Sequence, residues 1–211
     1  MLASRVEEGE KFSHAEKLNV FIAEVMTEAG RDMDELDAVA VGVGPGSYTG
    51  LRIGLSAAKG LCFALDIPLI GMGTLDVLVA QYLSLPNIDR QPSDVLFPMI
   101  DARRMEVFTT AFDGSGKEVG ESQPMILDDP WCSALPQDKR HLVFGDGADK
   151  ASALWTGHSQ VTHVVGIRPS VFGLVACAET LFSRGDFADM VRSVPAYGKV
   201  ARVGGAFPLE P

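Results

Sequence analysis

Seven consecutive residues, Gly44-Pro45-Gly46-Ser47-Tyr48-Thr49-Gly50, carry the clearest promise of chemistry in this chain. They join a short apolar run to a long apolar stretch, which reads as strand, sharp turn and helix. A glycine-rich turn at a helix N-terminus can cradle phosphate with its backbone N–H groups. A phosphate loop also needs a Lys-Ser/Thr pair for phosphate and magnesium, and none follows here. Pro45 removes a backbone donor where donors would cluster. The spacing Gly42-x-Gly44-x-x-Ser47 misses the dinucleotide fingerprint at its third glycine. Ser47 does not sit in the Gly-x-Ser-x-Gly pattern of a nucleophile elbow. Tight packing of the turn is the better reading.

Three other groups have residue types that could do chemistry. Asp101 ends an apolar run and opens a turn, where an aspartate can hold magnesium. Ala102, Arg103 and Arg104 stand in place of the glycines that would let phosphate approach the backbone. Gly145-Asp146-Gly147 could contact a nucleoside, although a helix start is the simpler reading. His14, His141, His158 and His163 form neither HxxxH nor HExxH, and no cysteine lies close to them in sequence. No catalytic set, metal site or cofactor is expected, and Gly44, Gly46, Ser47, Asp101, Gly145 and Gly147 are left as vestigial turns of a nucleotide site.

The elements around these residues follow from periodicity. Ser13 and Glu16 form a capping box that opens a helix to about Ala29, stopped by Gly30. Ala15, Leu18, Ile22, Val25, Met26 and Ala29 make one stripe, widened by Phe21. Residues 36–43 read as a buried parallel strand. The helix over 49–65 has an apolar residue on nearly every side and is expected to be buried on two of them. Strand 68–72 and a helix over 74–83 complete a first lobe. Residues 85–94 carry two prolines and mark a boundary, giving lobes over 1–92 and 93–211. The second lobe reads as strands at 95–100, 105–112, 117–122, 141–144 and 161–165. An irregular stretch over 124–136 holds a short helix near Trp131. A last helix spans 170–184 and packs back on the first lobe, and residues 201–211 form a loose tail. Strands and helices alternate, so the class is α/β with two lobes.

Composition narrows function. The 211 residues are 46% hydrophobic and 22% charged, with a net charge of −10. Such an acidic chain repels phosphate at long range and argues against solo nucleic-acid binding. The three cysteines lie far apart, which points to reduced thiols in a cytosolic chain. The first sixteen residues have no apolar core of a signal peptide, and no apolar run reaches the length of a membrane span.

The block GVGPGSYTGLRIG, followed by PMIDARRMEVF and FGDGADK, resembles the TsaB (YeaZ) family over nearly the whole chain. The resemblance implies a two-lobed actin-like fold, shared with sugar kinases and Hsp70, in which each lobe is RNase H-like. It implies a non-catalytic scaffold in the bacterial synthesis of threonylcarbamoyladenosine in tRNA. The catalytic TsaD-like subunit would be the partner, a TsaE-like ATPase would join the pair, and tRNA would be met only through the complex. A homodimer would form in isolation. The first two helices would make the contact, placing Leu18, Phe21, Ile22, Val25, Ile53, Ala57 and Leu61 in the interface. Alternatives are a degenerate ATP-dependent sugar or acetate kinase and an M22 glycoprotease-like peptidase. The family begins with a strand bearing an IDT- or IET-like motif and its hairpin partner. Here residues 3–9 look like the family's third strand, so the first lobe reads as N-terminally truncated.

Overall fold

The computed structural model describes residues 1–7, 14–120 and 123–196. Two sheets carry the architecture. The first holds β1 (Val39–Gly44) and β2 (Leu69–Gly73), parallel and joined through α2 (Tyr48–Leu65). Helix α1 (His14–Ala29) precedes them, and α3 (Thr74–Ser84) follows. In the second sheet, β3 (Val95–Asp101) pairs antiparallel with β4 (Glu106–Thr109) and β5 (Phe112–Asp113). Strand β6 (Gln123–Ile126) lies outside β4, while β7 (His141–Phe144) and β8 (Val161–Val164) run parallel on the other flank. Short helices α4 (Asp129–Ala134), α5 (Asp146–Lys150) and α6 (Ser152–Trp155) connect these strands, and α7 (Val171–Arg184) closes the order.

Local chemistry explains most boundaries. Ser47 caps α2, its hydroxyl accepting the Gly50 N–H at 3.3 Å, so the cap is Ser47 and not Thr49. Ser170 caps α7 and Gly185 ends it in the left-handed conformation at φ 66°. Helix α4 is capped by Asp128, whose carboxylate accepts the Trp131 N–H at 2.9 Å. The hairpin between β3 and β4 turns through Arg103 and Arg104, both at positive φ.

The sheets are bridged by a helix pair. Helix α7 packs on α3 and on β2. The crossing is close enough that a Cβ on Gly173 would lie 2.6 Å from the Val77 carbonyl oxygen. Gln81 of α3 accepts hydrogen bonds from the Ser170 hydroxyl and, at 3.1 Å, from the Gly173 N–H. Ile70, Met72 and Val77 bury against Cys177 in this junction. The larger cores lie around the second sheet, one over Phe97, Val143 and Trp155 and one over Tyr82, Phe112 and Phe144.

Several expectations need correction. Residues 1–7 lie in no strand; Arg5 instead pairs with Glu24 and Glu28 on α1. Strand β1 starts at Val39, since residues 36–38, after a 3-10 turn over Met33–Glu35, are irregular. The run 105–112 divides into β4 and β5. No strand occupies 117–120, where only an isolated bridge joins Phe112 and Glu118. The outer strand is β6, with Pro124 opposite Phe108 on an edge that tolerates a missing N–H. The capping residue Ser13 and the tail over 201–211 lie outside the described residues.

Candidate functional site

The β1–α2 turn places Gly44 and Pro45 in the interior, with Gly46 and Ser47 at the surface. Gly44 has φ +117°, and a Cβ there would lie 2.3 Å from the Ala196 carbonyl oxygen. That conformation and that space admit glycine alone. The neighbour that imposes this constraint is the chain's own backbone. Nearby, Arg52 donates to the Tyr48 hydroxyl at 2.8 Å and lies 5.0 Å from the ring centroid. Ser47 engages the Gly50 N–H as a cap, and no histidine among the described residues bonds to it.

Asp101, Gly145 and Gly147 come together at the ends of β3 and β7. The Asp146 carboxylate accepts the Asp101 N–H at 3.0 Å and the Gly147 N–H at 2.9 Å. Asp101 in turn accepts from the Lys150 ammonium and, at 2.7 Å, from the Arg103 N–H. Burial pushes the Asp101 carboxyl up, but Lys150 and the Arg103 N–H outweigh it and hold the group below the usual carboxylate range. Its charge is already matched by protein groups. The two glycines are needed for packing. A Cβ on Gly145, at φ +104°, would lie 2.2 Å from the Met99 carbonyl oxygen, and one on Gly147 would lie 2.7 Å from Val107. Both let α5 press on β3. Gly44, Gly46 and Ser47 belong to the other sheet.

Among the described residues, no group of three or more His, Cys, Asp and Glu could hold a metal. His141 is buried and its Nε2 lies 2.9 Å from the Pro136 carbonyl. His158 and His163 face Asp129 and Asp149 at 3.1 and 2.8 Å. The thiols are closed as well: burial pushes Cys132 and Cys177 up to about 11.

What remains is the α1–α2 pair. None of the described side chains of α1 is buried. Leu18, Phe21, Ile22 and Val25 are half-buried, as are Ile53, Ala57 and Leu61 on α2. An open groove of about 480 Å³ runs between the helices, lined by Leu18, Asn19, Arg52, Ile53, Ser56 and Ala57. Leu55, Ala58 and Cys62 bury the opposite side of α2 against the first sheet. Only that side holds fully buried residues, which corrects the expectation of a helix buried on two sides, and the far side is open. Phe63 there is 80% exposed, and Val20 on α1 is 52% exposed. Phe63 continues the line of Arg52, Ser56 and Gly60, so its exposure was readable from helical spacing.

Against known proteins, the family described as "TsaD: tRNA N6-adenosine threonylcarbamoyltransferase" matches residues 9–130. The chain is 28% identical over 154 residues to the "tRNA threonylcarbamoyladenosine biosynthesis protein TsaB" of Haemophilus influenzae. That match covers 71% of this chain and 62% of the relative, so it spans less than two thirds of the relative's length. A Mycobacterium tuberculosis (H37Rv) protein of uncharacterized function is 36% identical over 164 residues, covering 78% of this chain and 67% of its own. YeaZ from Pseudomonas aeruginosa superposes with a TM-score of 0.66 at 24% identity, covering 89% of this chain and 86% of that one. That likeness shows the fold alone, a mixed α/β fold shared with YeaZ. No helix among the described residues is long and apolar enough to cross a membrane.

Proposed function

Because the chain belongs to the TsaB (YeaZ) family, within the threonylcarbamoyltransferase family, we propose that it serves the synthesis of threonylcarbamoyladenosine in tRNA as a non-catalytic subunit. Its partner is a TsaD-like catalytic subunit, docked on α1 and α2. A TsaE-like ATPase joins that pair, and a second copy of this chain takes the same face when the partner is absent.

The observation that carries the reading is the state of α1. A helix of 16 residues with an apolar stripe has no described side chain buried, and it contacts the body mainly through α2. A half-covered stripe beside an open groove suits a second chain that completes its burial. The turns support a non-catalytic role. Gly44, Gly145 and Gly147 each press on protein backbone or a side chain, and Asp101 is matched by Lys150.

Co-purification tests the reading. The chain should hold a TsaD-like subunit through affinity capture and gel filtration. Ala57→Glu and Leu61→Asp should each abolish the pairing, because a charge in the centre of an apolar interface costs about 2 kcal/mol or more. A folded variant that pairs as the wild type does would refute the placement.

A further inference from the structure

After α7 the chain returns to the first sheet. The Ala188 N–H donates to the Leu69 carbonyl at 2.8 Å, along the outer edge of β2. Ala188 and Met190 pack against the cluster of Leu55, Ala58 and Cys62 that seats α2. The Asp189 carboxylate then accepts the Val191 and Arg192 N–H groups at 2.9 and 3.0 Å, which turns the chain. Lys59, on α2, donates to the Ser193 carbonyl at 2.7 Å. The Ala196 N–H finally donates to the Val43 carbonyl at 2.7 Å, at the base of the β1–α2 turn. Its own carbonyl occupies the space that only a glycine at 44 leaves open.

From these contacts we infer that residues 188–196 are a clasp that sets the orientation of α2, and that closing it favours pairing through the α1–α2 face. The clasp acts at two points, on the end of β1 that leads into the helix, through Val43 and Gly44, and on the helix itself through Lys59. Its hold is made of backbone hydrogen bonds more than apolar burial, since Val191 and Val194 are 87% and 73% exposed. A segment so held opens locally at low cost. The glycine turn that resembles a phosphate loop therefore has a partner, and the partner is a later part of the same chain. Coupling of this kind is reciprocal: if closure strengthens pairing by some factor, pairing must stabilise closure by the same factor.

The effect on pairing rests on the function proposed above; the effect on α2 does not, so two measurements separate them. In the isolated full chain, spin labels at Phe63→Cys on α2 and Ser152→Cys on α6 report the helix orientation, the native cysteines being buried. Ala196→Pro removes the N–H that reaches Val43, and Lys59→Met removes the second anchor. Either change should shift or broaden the distance distribution; an unchanged distribution in both variants overturns the clasp. In the complex with a TsaD-like subunit, hydrogen exchange at the Ala188 and Ala196 amides should slow about fivefold or more, and both variants should weaken pairing by a similar factor. Unchanged exchange on pairing, or wild-type affinity in both variants, removes the coupling. If the wild type itself never pairs, the functional reading falls while the spin-label result still decides the clasp.

Discussion

The Arg140 guanidinium grips the Asp94 carboxylate with two hydrogen bonds, from Nε at 3.0 Å and from Nη2 at 2.8 Å. Asp94 is 2% exposed, at the start of β3, and Arg140 precedes β7. The pair therefore pins the two central strands of the second sheet at one end. Asp89 adds two more, its carboxylate accepting from the same guanidinium at 2.6 Å and its carbonyl oxygen at 2.8 Å.

Removing the cation should be costly. Arg140→Met leaves a buried carboxylate without its counter-charge, a loss of about 3 kcal/mol or more. The pH dependence carries the signature. Burial raises Asp94, but Arg140 and the Gln91 N–H outweigh it and lower its pKa. Stability from this group is thus present above the unfolded carboxyl's value, about 3.9, and is lost as pH falls through the lower folded value. In the variant only the Gln91 N–H still opposes burial, so protonating Asp94 costs the fold less than in the wild type. Urea melts should show the largest penalty at neutral pH and a smaller one near the acid end.

Gly145→Ala and Gly147→Ala should destabilise by about 1–3 kcal/mol each, from the left-handed backbone at one site and overpacking at both. Denaturant melts measure the loss. Magnesium-ATP should not raise the wild-type melting temperature, because the glycines serve the contact of α5 with β3. A clear thermal shift with nucleotide would revive the kinase-like alternative.

Gly60 offers the opposite sign. It lies within α2, and a Cβ there meets nothing within 4 Å. Gly60→Ala should stabilise by about 0.5–1 kcal/mol through helix propensity. At this chain length that is a rise of about 1–4 °C in Tm by calorimetry. Gly173→Ala should do the reverse, since its Cβ would press on Val77 and Gln81 across the α3–α7 crossing.

Cys132 and Cys177 should resist alkylation at pH 8. Both are buried and pushed up to about 11, so little thiolate exists to react. Cys62 is buried too, its pKa raised by burial. Mass spectrometry after iodoacetamide should find the folded chain unmodified, with labelling that tracks the unfolded fraction in urea.

Elements written in local chemistry were legible before any coordinates. The helix over 170–184 was read close to its bounds, and the runs at β1, β3 and β7 read as strands. The same reading failed where a choice depended on neighbours. Residues 117–120 have strand-like character, yet β4 pairs with 123–126, because pairing is chosen by the partner's register.

The residues that the family resemblance puts in an interface are half-buried, and of them Leu18, Ile53 and Ala57 line the groove between α1 and α2. The turn at Gly44 is the contrasting case. Its glycine-proline pattern determined that the chain must bend sharply there, since φ and the missing Cβ are properties of the residue itself. What fills the bend was decided only in three dimensions, where Ala196 returns to Val43. A contact between residues so distant in the chain leaves no period or spacing to read. Its driving force is the pairing of backbone groups that every residue carries alike.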